Sequence, residues 1–126
     1  MYKLGARSKQ RLKGVHDDLV RVVERAIEIT TVDFTVLEGL RTPERQKALY
    51  ESGASQTLNG RHITGHAVDL GAWVDGDARW DWPLYHKINA AMQEASKLVG
   101  VPIEWGGNWR TFKDGPHFQL PRKEYP

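Results

Sequence analysis

Two short stretches of this chain hold residue types at spacings suited to metal chemistry. One is Arg61-His62-Ile63-Thr64-Gly65-His66-Ala67-Val68-Asp69-Leu70; the other is Asp114-Gly115-Pro116-His117-Phe118. If residues 66–74 form a strand, alternation puts Ala67 and Asp69 on one face and His66, Val68 and Leu70 on the other. Asp69 then projects from a sheet interior beside a small alanine. A carboxylate in that position is costly unless paired, and metal ligation is one way to pair it. Gly65 permits a backbone turn that brings His62, rather than His66, back over Asp69. His117 is placed to complete the set from a neighbouring strand.

Two imidazoles and a carboxylate suit a catalytic zinc site, which uses three protein ligands and keeps one position for water. Zinc lowers the pKa of such a water toward about 7. A general base must then stand within hydrogen-bond reach, and Asp114, one Gly-Pro turn before His117, is the candidate. Taken singly, each residue has a plainer explanation as a salt-bridge, capping or solvated side chain, and spacing alone leaves both readings open. The helical HExxH signature is absent. Cysteine is also absent, which excludes a disulfide frame, a thiolate metal site and a cysteine nucleophile.

The elements that must position these residues are punctuated clearly. Leu12, Val15, Leu19, Val22, Val23, Ala26 and Ile27 recur at helical spacing, which predicts one amphipathic helix beginning after Ser8. Residues 32–40 read as a strand in which Phe34, Val36 and Glu38 alternate with Thr35 and Leu37. A second helix starts with Thr42 as N-cap and Pro43 at its first position, and Gly53 closes it. Residues 54–61 read as a loop, residues 66–74 as a strand, and Asp75-Gly76 as a turn. A third helix begins near Asp81 or Pro83 and stops at Gly100, with Leu84, Ile88, Met92, Ala95 and Val99 as its buried stripe. Residues 101–105 and 117–120 read as short strands around a glycine-rich loop. This order predicts an α+β fold: a small, mostly antiparallel sheet with packed helices.

The chain has 126 residues, 40% hydrophobic and 27% charged, with a formal net charge of +2. That predicts one domain, residues 1–126, with no membrane insertion. The mild positive charge suits an anionic partner, although solubility alone would explain it. The basic run from Lys9 to Lys13 reads as solvated helix surface rather than a nucleic-acid site. Residues 1–14 are positively charged but lack the apolar stretch of a signal peptide, so the usual secretory route is not expected. Of five tryptophans, Trp105 and Trp109 flank the glycine-rich loop and are candidates to line a substrate groove. Trp73, Trp80 and Trp82 surround a turn and are expected to pack in the core. Gly106-Gly107 would let a substrate backbone approach the metal.

His62-x-x-Gly65-x-Ala67-x-Asp69 resembles the core of the SxHxxGxAxD motif of the zinc D-Ala-D-Ala carboxypeptidase and L-alanyl-D-glutamate endopeptidase family. The segment Glu104-Trp105-Gly106-Gly107-Asn108-Trp109, then Asp114-x-x-His117-Phe118, is similar to its second motif. Glu38-Gly39-Leu40-Arg41-Thr42, with Gln46 following, is similar to its arginine-bearing opening segment. The resemblance runs from about Val36 to Phe118 and is closest to the L-alanyl-D-glutamate peptidases of phage endolysins and bacterial autolysins. It implies that His62, Asp69 and His117 bind Zn2+ and that Asp114 is the catalytic acid/base. It implies that Arg41 polarises the substrate carbonyl or steadies the oxyanion, while Gln46 is a candidate substrate contact. It further implies a fold shared with D-Ala-D-Ala dipeptidases and the Hedgehog signalling domain, and a peptidoglycan stem peptide as substrate. The expected protein is a monomeric endolysin that reaches the wall from the host cytoplasm through a holin. The motif's leading serine falls at Gly60 here, which bears on substrate contacts more than on zinc binding. Alternatives are a D-Ala-D-Ala carboxypeptidase or dipeptidase, and a zinc-stabilised binding module without activity.

Overall fold

The structure, a computed structural model, describes residues 1–55, 60–111 and 113–126. Its helices are α1 (Ala6–Arg11), α2 (Asp17–Ile29), α3 (Pro43–Glu51) and α4 (Trp82–Val99). Its strands are β1 (Phe34–Glu38), β2 (Ala67–Val74), β3 (Asp77–Arg79), β4 (Glu104–Trp105) and β5 (His117–Gln119). The sheet runs β1-β2-β5-β4, with β3 paired to β2, and every pairing is antiparallel. The α+β expectation holds. Leu19, Val22, Val23, Ala26 and Ile27 of α2 are buried in one core with Ile88, Met92 and Ala95 of α4, and with Phe34, Val36, Val68, Leu70 and Phe118 of the sheet. Of the loop expected over residues 54–61, residues 56–59 lie outside the described residues.

Local chemistry sets the ends. Thr42 caps α3 by accepting from the Arg45 N–H, Pro43 sits in the first turn, and Gly53 follows at φ 82°. Gly100 ends α4 in the left-handed conformation that a Cβ disfavours. Asp75 and Gly76 both have positive φ, 53° and 79°. That is the signature of a two-residue type I′ hairpin, and it returns the chain as β3, a strand the sequence reading passed over.

The predicted first helix is broken in two. Residues 12–16 leave the helix, with Gly14 at φ 84°, although Leu12 and Val15 stay buried. The break lets two site-bearing segments dock. His16 N–H donates to the Gly65 carbonyl at 2.8 Å, and a Cβ on Gly65 would lie 2.4 Å from the Gly14 carbonyl oxygen. Meanwhile α1 covers the outer edge of β1: Ser8 Oγ accepts from the Val36 N–H at 3.0 Å, and Arg11 Nη1 donates to the Val36 carbonyl at 3.0 Å. An edge strand is thereby capped rather than left to pair with another chain.

Strict alternation along β1 would turn Glu38 into the core with Phe34 and Val36. A register shift prevents this. Val36 pairs with Leu70, but Glu38 pairs with Asp69, leaving Leu37 as the extra residue. This bulge re-aims Glu38 onto the face that carries Asp69. The tryptophan expectation fails at three positions: Trp73, Trp80 and Trp82 are 41%, 58% and 42% exposed. Trp73 stands on β2 next to the inward Ala72, so the pleat turns it out. Trp82 opens α4 and meets Tyr85 edge-on.

Candidate metal centre

A single row across three strands builds the centre. Glu38 on β1 is opposite Asp69 on β2, and Asp69 is opposite His117 on β5. Directly paired residues share a face, so these three project together from the side away from the core. His62 is not on a strand. It reaches the row from the turn before β2, where Arg41 N–H donates to the His62 carbonyl at 2.9 Å. His62 Nε2 lies 3.2 Å from Asp69 Oδ1, and His117 Nδ1 lies 3.4 Å from the same oxygen. One donor atom from each of His62, Asp69 and His117 falls within 4.8 Å of the other two.

The outer nitrogens fix the tautomers. His62 Nδ1 is 2.8 Å from the Gly39 carbonyl, which can only accept, so Nδ1 carries the proton. His117 Nε2 is 2.8 Å from Gln119 Oε1. The amide of Gln119 is oriented in turn by donating to Glu104 Oε1 at 3.1 Å. Both rings therefore turn a lone pair toward the Asp69 carboxylate when neutral. Two lone pairs and an anion at one point repel unless a cation lies among them, so the donor set fits a divalent metal ion.

The electrostatics agree. Burial pushes the Asp69 carboxyl up, but hydrogen bonds from His117 and His62 outweigh it and hold the group well below the usual carboxylate range. Burial works to lower His117, yet the bond to Asp69 leaves it raised. Asp114 is raised, first by burial and then by the charge of Asp69. A raised carboxyl beside a metal site has the character of an acid/base group.

The row opens into a cleft of about 520 Å³. Asp114, Trp109, Gln46 and Arg41 line it alongside His62, Asp69 and His117. Arg41 donates from Nε and Nη2 to Glu38 Oε1 and from Nη1 to Gln46 Oε1 at 2.7 Å. Its Nη2 also lies 3.7 Å from Asp69 Oδ2. Burial raises Glu38, but Arg41 and Arg45 bring its carboxyl below the ordinary value. Gln46 is 1% exposed and bonds Ser55 as well as Arg41. Gly60 explains the missing motif serine in part: a Cβ there would come within 3.2 Å of Gln46 Oε1.

Trp109 packs against the His117 ring, centroids 5.0 Å apart. Trp105 does not line the cleft. It is 4% exposed, sits in the core and donates to the Gly115 carbonyl at 2.7 Å. Gly106 and Gly107 are buried against the chain itself rather than open to a substrate. A Cβ on Gly106 would lie 2.5 Å from the Asp114 carbonyl, and one on Gly107 would lie 2.3 Å from the Trp105 ring. The sequence reading gave no role to Gln119 or Glu38. Alternation from His117 pointed to Gln119, and the three-residue spacing to Arg41 pointed to Glu38.

A two-histidine, one-carboxylate cluster that could hold a metal ion, on an antiparallel α+β scaffold, is an arrangement of the kind metallopeptidases use. A sequence profile described as phage L-alanyl-D-glutamate peptidase matches residues 1–120. The chain is 29% identical over 128 residues to the L-alanyl-D-glutamate peptidase of Escherichia phage T5, covering 98% of this chain and 93% of that protein. The crystal structure of Serratia marcescens L-Ala D-Glu endopeptidase ChiX superposes with a TM-score of 0.92 at 50% identity, over 96% of this chain and 91% of that one. The vancomycin-resistance D,D-dipeptidase VanXYg shares the fold, at a TM-score of 0.57 and 20% identity over 84% of this chain and 50% of that one. The chain belongs to the phage L-alanyl-D-glutamate peptidase family.

Proposed function

We propose that the protein is a zinc-dependent endopeptidase that hydrolyses the L-alanyl-D-glutamate bond of peptidoglycan stem peptides. The observation that carries this is the convergence of His62, Asp69 and His117, each imidazole oriented by an acceptor on its far side, in a chain of this family. Bound zinc would supply Lewis acidity and a water of lowered pKa.

The chain's own residues supply the rest. Asp114 lines the cleft and its carboxyl is raised, which suits it to take a proton from the attacking water. As the C–O bond forms and the C–N bond breaks, Asp114 returns that proton to the departing amine. Arg41 is held on three sides by Glu38 and Gln46. Its guanidinium lines the cleft and is the donor offered to the developing oxyanion, where a preorganised donor contributes about 3 kcal/mol. Trp109 walls the cleft beside His117 and is the aromatic contact offered to the peptide. Among the described residues no helix is long and apolar enough to cross a membrane. The wall of an infected host, reached through a holin pore, is the place of action in this reading, and the phage origin of a relative supports the host setting.

Purified protein incubated with peptidoglycan, with and without chelator, tests the proposal. New N-terminal D-glutamate found by mass spectrometry only in the metal-loaded sample is the expected result. Release of free D-alanine would transfer the protein to D-Ala-D-Ala specificity. Stoichiometric zinc with no cleavage of any wall peptide would leave a binding module.

A further inference from the structure

Two carboxylates stand side by side on the cleft face, because the bulge in β1 pairs Glu38 with Asp69. The Arg41 guanidinium lies against both, but not equally. It donates to Glu38 Oε1 through Nε at 2.8 Å and through Nη2 as well. The same Nη2 stops 3.7 Å from Asp69 Oδ2, too far for a hydrogen bond. Glu38 is held in its turn, since Arg45 Nε donates to its other oxygen at 2.7 Å. Gln46 Oε1 accepts from Arg41 Nη1 at 2.7 Å and fixes the remaining side of the fork.

Asp69 has two competing calls on its charge. Its Oδ1 faces His62 Nε2 at 3.2 Å and His117 Nδ1 at 3.4 Å, where the donor set fits a metal ion. Its Oδ2 faces Arg41. Arginine bonds a carboxylate strongly, often through two parallel hydrogen bonds. All three side chains are mostly buried, so the attraction is little screened. Among the described residues, Asp69 is the only carboxylate other than Glu38 in ion-pair range of Arg41. Without the charge of Glu38, the guanidinium has Asp69 as its nearest anion. The other charged groups here are Arg45, Asp114 and the two imidazoles. Whatever their state, loss of the Glu38 charge moves this wall one unit toward positive, which opposes a divalent cation.

We propose that Glu38 is a positioning residue that holds Arg41 off Asp69. Asp69 thereby stays available to a metal ion, and Arg41 stays presented to the oxyanion. The second half of this assignment rests on the peptidase reading above; the first half does not.

Two substitutions at Glu38 and one at Arg41 test it in the full chain. Glu38→Gln keeps the shape and an acceptor but removes the charge, whereas Glu38→Asp keeps the charge on a shorter stem. Zinc titrated against a chelating dye, with no substrate present, should bind Glu38→Gln about 10-fold or more weakly, with part of the affinity kept in Glu38→Asp. At saturating zinc, kcat on wall peptides should fall by about 100-fold in Glu38→Gln with KM little changed, because a misplaced donor is missed in the transition state. In an Arg41→Ala background, Glu38→Gln should lower neither quantity further, since the group it acts through is gone. If Glu38→Gln does not fold, Glu38→Asp carries the same comparison: it should weaken zinc binding when Arg41 is present and not when Arg41 is alanine. Wild-type zinc affinity without the Glu38 charge, or an equal loss with and without Arg41, would overturn the assignment. Weakened zinc binding with wild-type kcat at saturating zinc would remove its oxyanion half. A wild-type protein that cleaves no wall peptide would overturn the peptidase reading alone, because the zinc titration still decides whether Glu38 guards Asp69.

Discussion

His62 and His117 each offer one nitrogen to Asp69 and anchor the other on an oxygen acceptor, the Gly39 carbonyl and the Gln119 amide. The anchor of His117 is a side chain, so it can be removed without touching a ligand. Gln119→Ala should weaken metal affinity by about 10- to 100-fold, read by competition against a chelating dye, while circular dichroism stays native. Asp114→Asn should keep full metal content but lose about 10²- to 10⁴-fold in kcat. The raised pKa of Asp114 places loss of its base form above the ordinary value of 3.8. Activity should therefore fall on the acid side at a pH higher than a solvated aspartate would give, and Asp114→Asn should remove that limb from the pH–rate profile.

Element geometry converts these residues into a site. The bulge in β1 turns Glu38 outward, and Glu38 then holds Arg41 over the row through two donors. The close contact of Gly65 with the Gly14 carbonyl fixes the turn that carries His62. Gly65→Ala adds a Cβ at φ 76°, 2.4 Å from that oxygen. It should destabilise the fold by at least about 1–2 kcal/mol in urea unfolding and lower metal affinity in the same protein. Ser8→Ala should cost about 1–3 kcal/mol, because it leaves the buried Val36 N–H without its acceptor. A Ser8→Ala protein as stable as wild type would show that α1 does not secure the sheet edge.

At the scale of the whole molecule, the centre couples stability to pH and metal. In metal-free protein the raised pKa of His117 contributes stability that is full below the ordinary 6.5 and is lost as pH rises through the raised value. The depressed pKa of Asp69 contributes stability present above the ordinary 3.8 and lost as pH falls through the depressed value. The pair thus supports the metal-free fold most between 3.8 and 6.5. Metal requires neutral His117, so the stabilisation from added zinc should grow with pH until that group is deprotonated. At a thousandfold excess over Kd the increment should approach about 4 kcal/mol, measured as a rise in Tm that chelator reverses. A metal increment independent of pH across that range would show that metal displaces no proton from His117.

Much of this was legible before any fold was known. Side-chain types at His62, Asp69, His117 and Asp114 limited the chemistry, because oxygen and imidazole donors were all the chain had for a metal. The period-3.6 pattern placed α2 and α4, because burial of one face is a local property that periodicity records, and the capping residues Thr42, Pro43 and Gly53 placed α3. Contacts between distant segments left no such record. Leu37 gives no local sign of being an extra residue, Gly14 breaks a helical stripe that Leu12 and Val15 continue, and Trp73, Trp80 and Trp82 face out despite their size. Nor does local pattern say that Trp105 goes to the core while Trp109 stays at the cleft, or that a buried Arg61 ties down the turn carrying Arg122. The sequence determined the donors and the elements. Tertiary structure alone decided which of them meet, because that depends on pairing register and close backbone approach between residues far apart in the chain.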